Sequence, residues 1–125
     1  MLVASQQGHV DVVKCLLISG ADINFRDNSG QSPLFVASQR GPCDVVKCLL
    51  SASADINVCD NLGQSPLFVA SERGHCDVVK CLLSASADIN VCDNLGQSPL
   101  FIASQRGRVD VYTAILGSNI GPVPM

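Results

Sequence analysis

The chain has 125 residues, of which 47% are apolar and only 4% aromatic, and its formal net charge is −3. This length suits one domain, and the shortage of aromatic side chains indicates thin helical layers with a core of Leu, Val, Ile, Ala and Cys. Lys and Arg are scattered rather than clustered, which argues against nucleic-acid binding. Lysines interrupt every apolar run before it reaches a membrane span, so we expect no membrane insertion by this chain.

The N-terminal residues and the cysteines indicate a cellular compartment. Residues 1–10 lack a basic segment followed by an apolar stretch, so they do not resemble a secretory signal. The seven cysteines are an odd number, which does not suit a secreted disulfide scaffold. We therefore expect a reducing compartment, either the cytoplasm or, as the alternative, the nucleus.

A long passage occurs twice without a single change, at residues 43–68 and again at residues 76–101, an offset of 33. The same offset aligns Asp27 with Asp60 and Asp93, and it also aligns the prolines and glycines that follow. Self-similarity at this period indicates stacked repeats. It divides residues 1–116 into repeats at 1–26, 27–59, 60–92 and 93–116, and leaves an irregular C-terminal tail at 117–125.

The elements of one repeat can be predicted in chain order. The first repeat begins inside a helix, and the complete repeat at 27–59 opens with the turn residues DNSGQ. Ser32 is then a helix N-cap with Pro33 at the first helical position, and Gly41 ends this first helix. The second helix has Asp44 in its first turn and an apolar stripe of Val45, Val46, Leu49 and Leu50. Helices of about eight residues are unstable alone in water, so stacking must stabilise them.

The segment DNSGQSPLFVASQRGPCDVVKCLLSASADIN resembles the ankyrin repeat, whose pattern is D-x-x-G-x-T-P-L-H-x-A, then G-H, V-V-x-x-L-L and G-A-D-x-N. The resemblance recurs in register from residue 1 to about residue 116. It implies an all-α ankyrin-repeat solenoid with a β-turn finger and two antiparallel helices per repeat. It also implies a non-catalytic protein-protein interaction module without a cofactor. The alternative is a structural spacer, or a fragment of a longer scaffold or membrane-anchored protein whose active part is absent.

Two departures from the family pattern lead to structural predictions. Phe replaces the family's His after P-L at positions 35, 68 and 101, which predicts apolar packing between repeats in place of a polar link. The family's Gly before A-D survives as Gly20, whereas Ser53, Ser86 and Asn119 take its place in the later repeats. That position follows a helix end in the left-handed conformation, so we expect the two serines to be strained.

The resemblance also implies where a partner protein binds, because the family uses the concave surface of finger tips and first-helix ends. Carried over by position, the predicted contact residues are Gln39, Arg40, Asn61, Leu62, Gln64, Glu72, Arg73, Asn94, Leu95, Gln97, Gln105 and Arg106. A solvated surface without a binding role is the alternative, since Arg is the one residue type here that is common in binding hot spots. The partner is expected to be a protein, and the chain a monomer or weakly self-associating end to end.

Other chemical roles would involve the cysteines, the asparagines or a catalytic site. The cysteine spacing within each repeat does not suit a zinc site, and Cys15, Cys48 and Cys81 are predicted to be small core residues. Equivalent cysteines of neighbouring repeats should be about 8–10 Å apart, beyond the reach of a disulfide. Asn24, Asn57 and Asn90 match the family's site of Asn hydroxylation in A-D-x-N, although a purely turn-stabilising role is favoured. No arrangement of nucleophile and base, acid pair or phosphate loop supports catalysis.

Overall fold

A computed structural model describes the backbone of residues 1–120 and the side chains of residues 1–118. This part of the chain is helical, with turns and no strands between the helices. In chain order the helices are α1 (Leu2–Gln7), α2 (Val10–Ile18), α3 (Pro33–Arg40), α4 (Cys43–Ser51), α5 (Pro66–Arg73), α6 (Cys76–Ser84), α7 (Pro99–Gln105) and α8 (Val109–Ile120). Each repeat contributes one pair of helices, so the predicted all-α solenoid is confirmed.

The helices form two rows. The first helices α1, α3, α5 and α7 each pack on the next, and the second helices α2, α4, α6 and α8 do the same. Each first helix also packs on the second helix of its own repeat. Contacts therefore run between sequence neighbours, and each repeat is stabilised by the repeats beside it.

The core consists of aliphatic side chains that line the space between the two rows. Val45, Val46 and Leu49 of α4 are fully buried, as the predicted stripe requires, whereas Leu50 is only partly buried. Phe35 and Phe68 are also buried and belong to a second apolar cluster between the first helices. The prediction of apolar packing is wrong for Phe101, which is 49% exposed because it lies in the last of the four repeats.

The first helices begin as predicted. Ser32 Oγ accepts a hydrogen bond from the backbone N–H of Phe35 at 3.1 Å, and Ser65 and Ser98 cap α5 and α7 in the same way at 3.0 Å. Proline is the first residue of each of these helices. The end of α3 is also as predicted, since Gly41 has φ = 98°. Hydroxyl cap and proline together fix where each first helix starts.

The second helices end in a left-handed residue. Gly20, Ser53 and Ser86 follow α2, α4 and α6 with φ values of 88°, 67° and 67°, which confirms the strained conformation predicted for the two serines. The next residue closes the motif: the N–H of Ala54 donates to the carbonyl of Leu49 at 3.0 Å. This is the Schellman arrangement, in which glycine is the usual left-handed residue.

The predicted irregular tail is wrong for residues 117–120, because α8 continues through Ile120 and includes Asn119. Glycine at position 117 weakens a helix by about 1 kcal/mol without stopping it. The first proline after the start of α8 comes only at position 122. Residues 121–125 lie outside the described part of the chain.

Candidate functional site

The fingers are the turns at residues 27–31, 60–64 and 93–97, and each is held by the aspartate that begins it. Asp60 is buried, and its Oδ1 accepts hydrogen bonds from the backbone N–H groups of Leu62 at 3.0 Å and Gln64 at 2.8 Å. The N–H of Gly63 donates to the carbonyl of Asp60 at 3.0 Å and closes the turn. Asp27 and Asp93 hold the other two fingers in the same way. The finger backbone is therefore fixed before any partner arrives.

Adjacent fingers are joined by asparagines. The backbone N–H of Asn61 donates to the carbonyl of Ser29 at 3.0 Å, and its Nδ2 donates to the carbonyl of Asn28 at 2.8 Å. Asn94 makes the same two bonds to the finger before it, to the carbonyls of Leu62 at 2.9 Å and Asn61 at 3.1 Å. Both asparagines were predicted to contact a partner; they remain exposed, but each amide group already has a structural role.

We call the hydrogen bonds from each asparagine to the preceding finger the ladder. The ladder explains why Gly30 and Gly63 are glycines. Gly30 has φ = 78°, and a Cβ added there would lie 2.5 Å from Oδ1 of Asn61. A side chain would therefore clash with the asparagine of the next finger in addition to straining the backbone. Gly63 has the same relation to Asn94.

The most exposed apolar side chains of the fingers are Leu62 and Leu95, at 62% and 83%. Gln64 and Gln97 are partly buried beside them. Because their backbone N–H groups bind the finger aspartates, the side chains of these residues are carried by a rigid backbone. The structure thus places the predicted finger contacts side by side in consecutive repeats.

The ends of the first helices carry the charged part of the predicted surface. Arg40, Arg73 and Gln105 are exposed. Arg106 Nη2 lies 3.2 Å from Oε2 of Glu72, so these two predicted contacts form an ion pair between neighbouring repeats. Such an exposed pair adds little stability, about 0–1 kcal/mol, and can be opened by a partner at small cost.

The backbone at these helix ends is tied to the following repeat. The carbonyl of Gln39, another predicted contact, lies 2.9 Å from Nε2 of His75 in the turn before α6. Nε of Arg108 donates to the carbonyl of Glu72 at 3.3 Å in the corresponding position one repeat later. We call the surface formed by the finger tips and these helix ends the finger face.

The three asparagines proposed for hydroxylation lie in turns that also link repeats. Oδ1 of Asn24 accepts a hydrogen bond from the N–H of Asp55 at 2.9 Å, and Oδ1 of Asn57 accepts one from Asp88 at 3.0 Å. The N–H of Asn90 donates to Oδ1 of Asp88 at 2.9 Å within its own turn. These bonds give the asparagines a structural role, and hydroxylation stays a prediction.

The prediction that Cys15, Cys48 and Cys81 are core residues is wrong for Cys15, whereas Cys48 and Cys81 pack against the core cluster. Cys15 is exposed and the other two are only partly buried. The physical reason is that α2, in the first repeat, buries only Val13. In α4 and α6 the fully buried residues are the Val-Val-x-x-Leu stripe, and the cysteines lie beside it. Cys92 is exposed and Cys59 partly buried on the fingers. Burial, and then the nearby charge of Asp60, raises the pKa of the Cys59 thiol.

Sequence comparison of equivalent positions missed one close contact between cysteines. Sγ of Cys43 lies 3.4 Å from Sγ of Cys81 in the next repeat. The two positions are not equivalent, since their separation is one repeat plus five residues. The available signal was the pair of cysteines five residues apart on α4, repeated on α6.

Two kinds of feature are absent from the described residues. Neither a cluster of three or more His, Cys, Asp or Glu side chains suited to a metal nor a helix long and apolar enough to cross a bilayer occurs among them.

The comparisons with known proteins agree with the repeat architecture. A family model described as ankyrin repeats, in three copies, matches residues 1–93 and again residues 36–123. No protein with a curated description matches the chain. Together these two matches span residues 1–123, so the chain belongs to the ankyrin-repeat family.

Proposed function

We propose that this protein is a non-catalytic binding module that engages a protein partner through the finger face. Ankyrin repeats are in general modules for protein-protein interaction, and their proteins are typically not enzymes. The observation that carries the proposal is the pair Leu62 and Leu95: two apolar side chains more than half exposed on a hydrogen-bonded backbone. Large exposed side chains on a rigid support lose little entropy on binding, which favours affinity.

The same surface supports a proposal for the chemistry of the partner. Neighbouring repeats are spaced by about one helix-packing distance, roughly 8–10 Å. Two residues seven apart on a helix are separated by a similar distance, about 10 Å. Arg40 and Arg73 are exposed without an ion pair among the described residues, although the whole chain is acidic. We propose a partner segment with apolar side chains at this spacing and with carboxylates beside them.

The test replaces the two exposed leucines. Ser29 occupies the equivalent position of an earlier finger, so Leu62→Ser and Leu95→Ser should be accommodated without disturbing the ladder. The matched control replaces Lys47 and Lys80, exposed and also one repeat apart, by serine on the second helices. Each variant and the wild type are used as bait for proteins from cell lysate under reducing conditions.

A partner captured by the wild type and the lysine control, and lost with the leucine variant, would support the finger face. A further bait tests whether the helix-end contacts are needed in addition to the leucines. It carries Ala at Gln39, Arg40, Glu72, Arg73, Gln105 and Arg106. Equal capture by all baits would refute the finger face as the binding site, and capture by none of them would favour the spacer alternative.

Self-association is a second, weaker proposal with its own observation. The first repeat exposes Val3 and Phe25, and the last repeat exposes Phe101 and Leu116. Because repeats stack by translation, the apolar face of the last repeat in one copy can meet that of the first repeat in a second copy. A sedimentation coefficient that stays constant as concentration rises would refute this proposal.

We also propose a reducing compartment, where the seven thiols remain free.

A further inference from the structure

Cys43 and Cys81 bring two thiols from neighbouring repeats into contact. Their Sγ atoms are 3.4 Å apart, at the start of α4 and in the middle of α6. Both side chains are partly buried. A disulfide needs a separation of about 2.05 Å, so the sulfurs must approach by a further ~1.4 Å. Rotation of either side chain can provide a movement of this size.

The repeat register brings cysteine opposite cysteine at this one interface. A residue at the start of a second helix faces the residue 38 positions later, on the second helix of the next repeat. At the other two interfaces this register pairs cysteine with an aliphatic residue, as Val10 with Cys48 and Cys76 with Ala114. The chain thus contains its own controls for a contact that depends on register.

Cys43 is also accessible to a small molecule. It lines an open groove of about 340 Å³ between two repeats, together with Gly41, His75, Cys76 and Asp77. Cys81 does not line this groove, but its Sγ contacts that of Cys43. A reagent that enters the groove can therefore react at Cys43, with Cys81 in position to act second.

We propose that Cys43 and Cys81 are an oxidation site at which a low-molecular-weight disulfide generates a covalent bond between the second and third repeats. The thiolate of Cys43 attacks one sulfur of the reagent R–S–S–R, which forms Cys43–S–S–R and releases R–S⁻. The thiolate of Cys81 then attacks Sγ of Cys43 and releases the second R–S⁻. The cysteines lose two electrons, the reagent gains them, and the two thiol protons end on two molecules of R–SH.

The bond changes the behaviour of the stack. In a repeat protein each repeat is stabilised by its neighbours, so separation of two repeats opens the array locally. A bond between α4 and α6 blocks that separation and restricts the unfolded chain over a loop of roughly 40 residues. A stabilisation of about 2–4 kcal/mol should raise the melting temperature of the oxidised protein by about 8–16 °C.

The test treats the full chain with glutathione disulfide at a mildly alkaline pH, because burial and the hydrogen bond with Cys81 raise the pKa of the Cys43 thiol. Remaining thiols are blocked, and the cross-linked peptides are mapped by mass spectrometry. The wild type, Cys48→Ser and Cys76→Ser should each give a Cys43–Cys81 peptide and the rise in melting temperature. Cys43→Ser and Cys81→Ser should give neither, with unchanged circular dichroism before oxidation.

A gain-of-bond variant tests the register without removing a cysteine. Ala114→Cys should add a second cross-link, between positions 76 and 114, under the same conditions. A wild-type chain that carries glutathione at Cys43 and no Cys43–Cys81 peptide would overturn the proposal. A cross-link between Cys43 and Cys76 in the wild type would also overturn the proposal. So would the absence of a cross-link between positions 76 and 114 in the Ala114→Cys variant.

Discussion

Replacing the two left-handed serines by glycine should stabilise the protein. Ser53 and Ser86 both have φ = 67°, and both are exposed. Their backbone N–H groups bond to the carbonyls of Leu50 at 3.1 Å and Leu83 at 3.0 Å, which glycine would retain. The substitution therefore removes a Cβ from an unfavourable conformation and changes no backbone hydrogen bond.

The magnitude follows from two opposing terms. A side chain in the left-handed region costs roughly 1–2 kcal/mol, whereas the greater freedom of glycine in the unfolded chain costs about 0.4–1 kcal/mol. The net gain is about 0.5–1 kcal/mol for each substitution. Unfolding entropy is about 2.1 cal/mol/K per residue, so 1 kcal/mol corresponds to about 4 °C in a chain of this length. The double variant should melt about 4–8 °C above the wild type.

Thermal unfolding followed by circular dichroism measures this shift, and the chain offers two controls. Gly20 has φ = 88°, and a Cβ added there meets nothing within 4 Å, so Gly20→Ser should lower the melting temperature through backbone strain alone. Ser84→Gly makes the same chemical change at the last residue of α6, where glycine should destabilise. A double variant that melts at or below the wild-type temperature would refute the reasoning.

Three other predictions concern buried and ionisable groups. Ser38 and Ser71 bury hydroxyls that lack a hydrogen-bond partner; their replacement by Ala should raise the free energy of unfolding by about 1 kcal/mol each in urea titration. Asp60→Ala leaves two finger N–H groups without their acceptor and should lower it by about 2 kcal/mol, whereas Asp44→Ala, on an exposed helix start, should cost less. Burial raises the pKa of the Cys43 thiol above its ordinary value of 9.0. The stability that this thiol contributes is therefore lost as pH rises above 9.0. The rate of alkylation of Cys43 should still increase with pH above 9.0, because the thiol is not yet fully ionised at that pH.

The sequence predicted the local features of the fold because each depends on a few adjacent residues. Ser32 and Pro33 specify a helix start by hydrogen bonding and fixed φ, and the aligned glycine position specifies the left-handed end at Ser53. The outcome for α8 differs, since glycine at position 117 only weakens a helix. Local chemistry therefore fixes where an element begins more firmly than where it stops.

The candidate site was predicted less completely because its contacts are made between neighbouring repeats rather than within one. Alignment of equivalent residues compares Cys48 with Cys81, whereas the structure brings Cys43 to Cys81. It also presents Asn61 as a free surface residue, whereas the structure commits its amide to the preceding finger. Contacts of this kind depend on the stagger between repeats, which is a property of the packed array.

The finger ladder has a direction, and this bears on how the chain could have grown. Each donor belongs to the later finger and each acceptor to the earlier one, from Asn94 to Asn61 and from Asn61 to Asn28. A duplicated unit of 33 residues placed inside the array therefore arrives with a donor for the finger before it and an acceptor for the finger after it. The identical passages at 43–68 and 76–101 satisfy this condition. Copying a unit lengthens such a protein without requiring compensating substitutions at either junction.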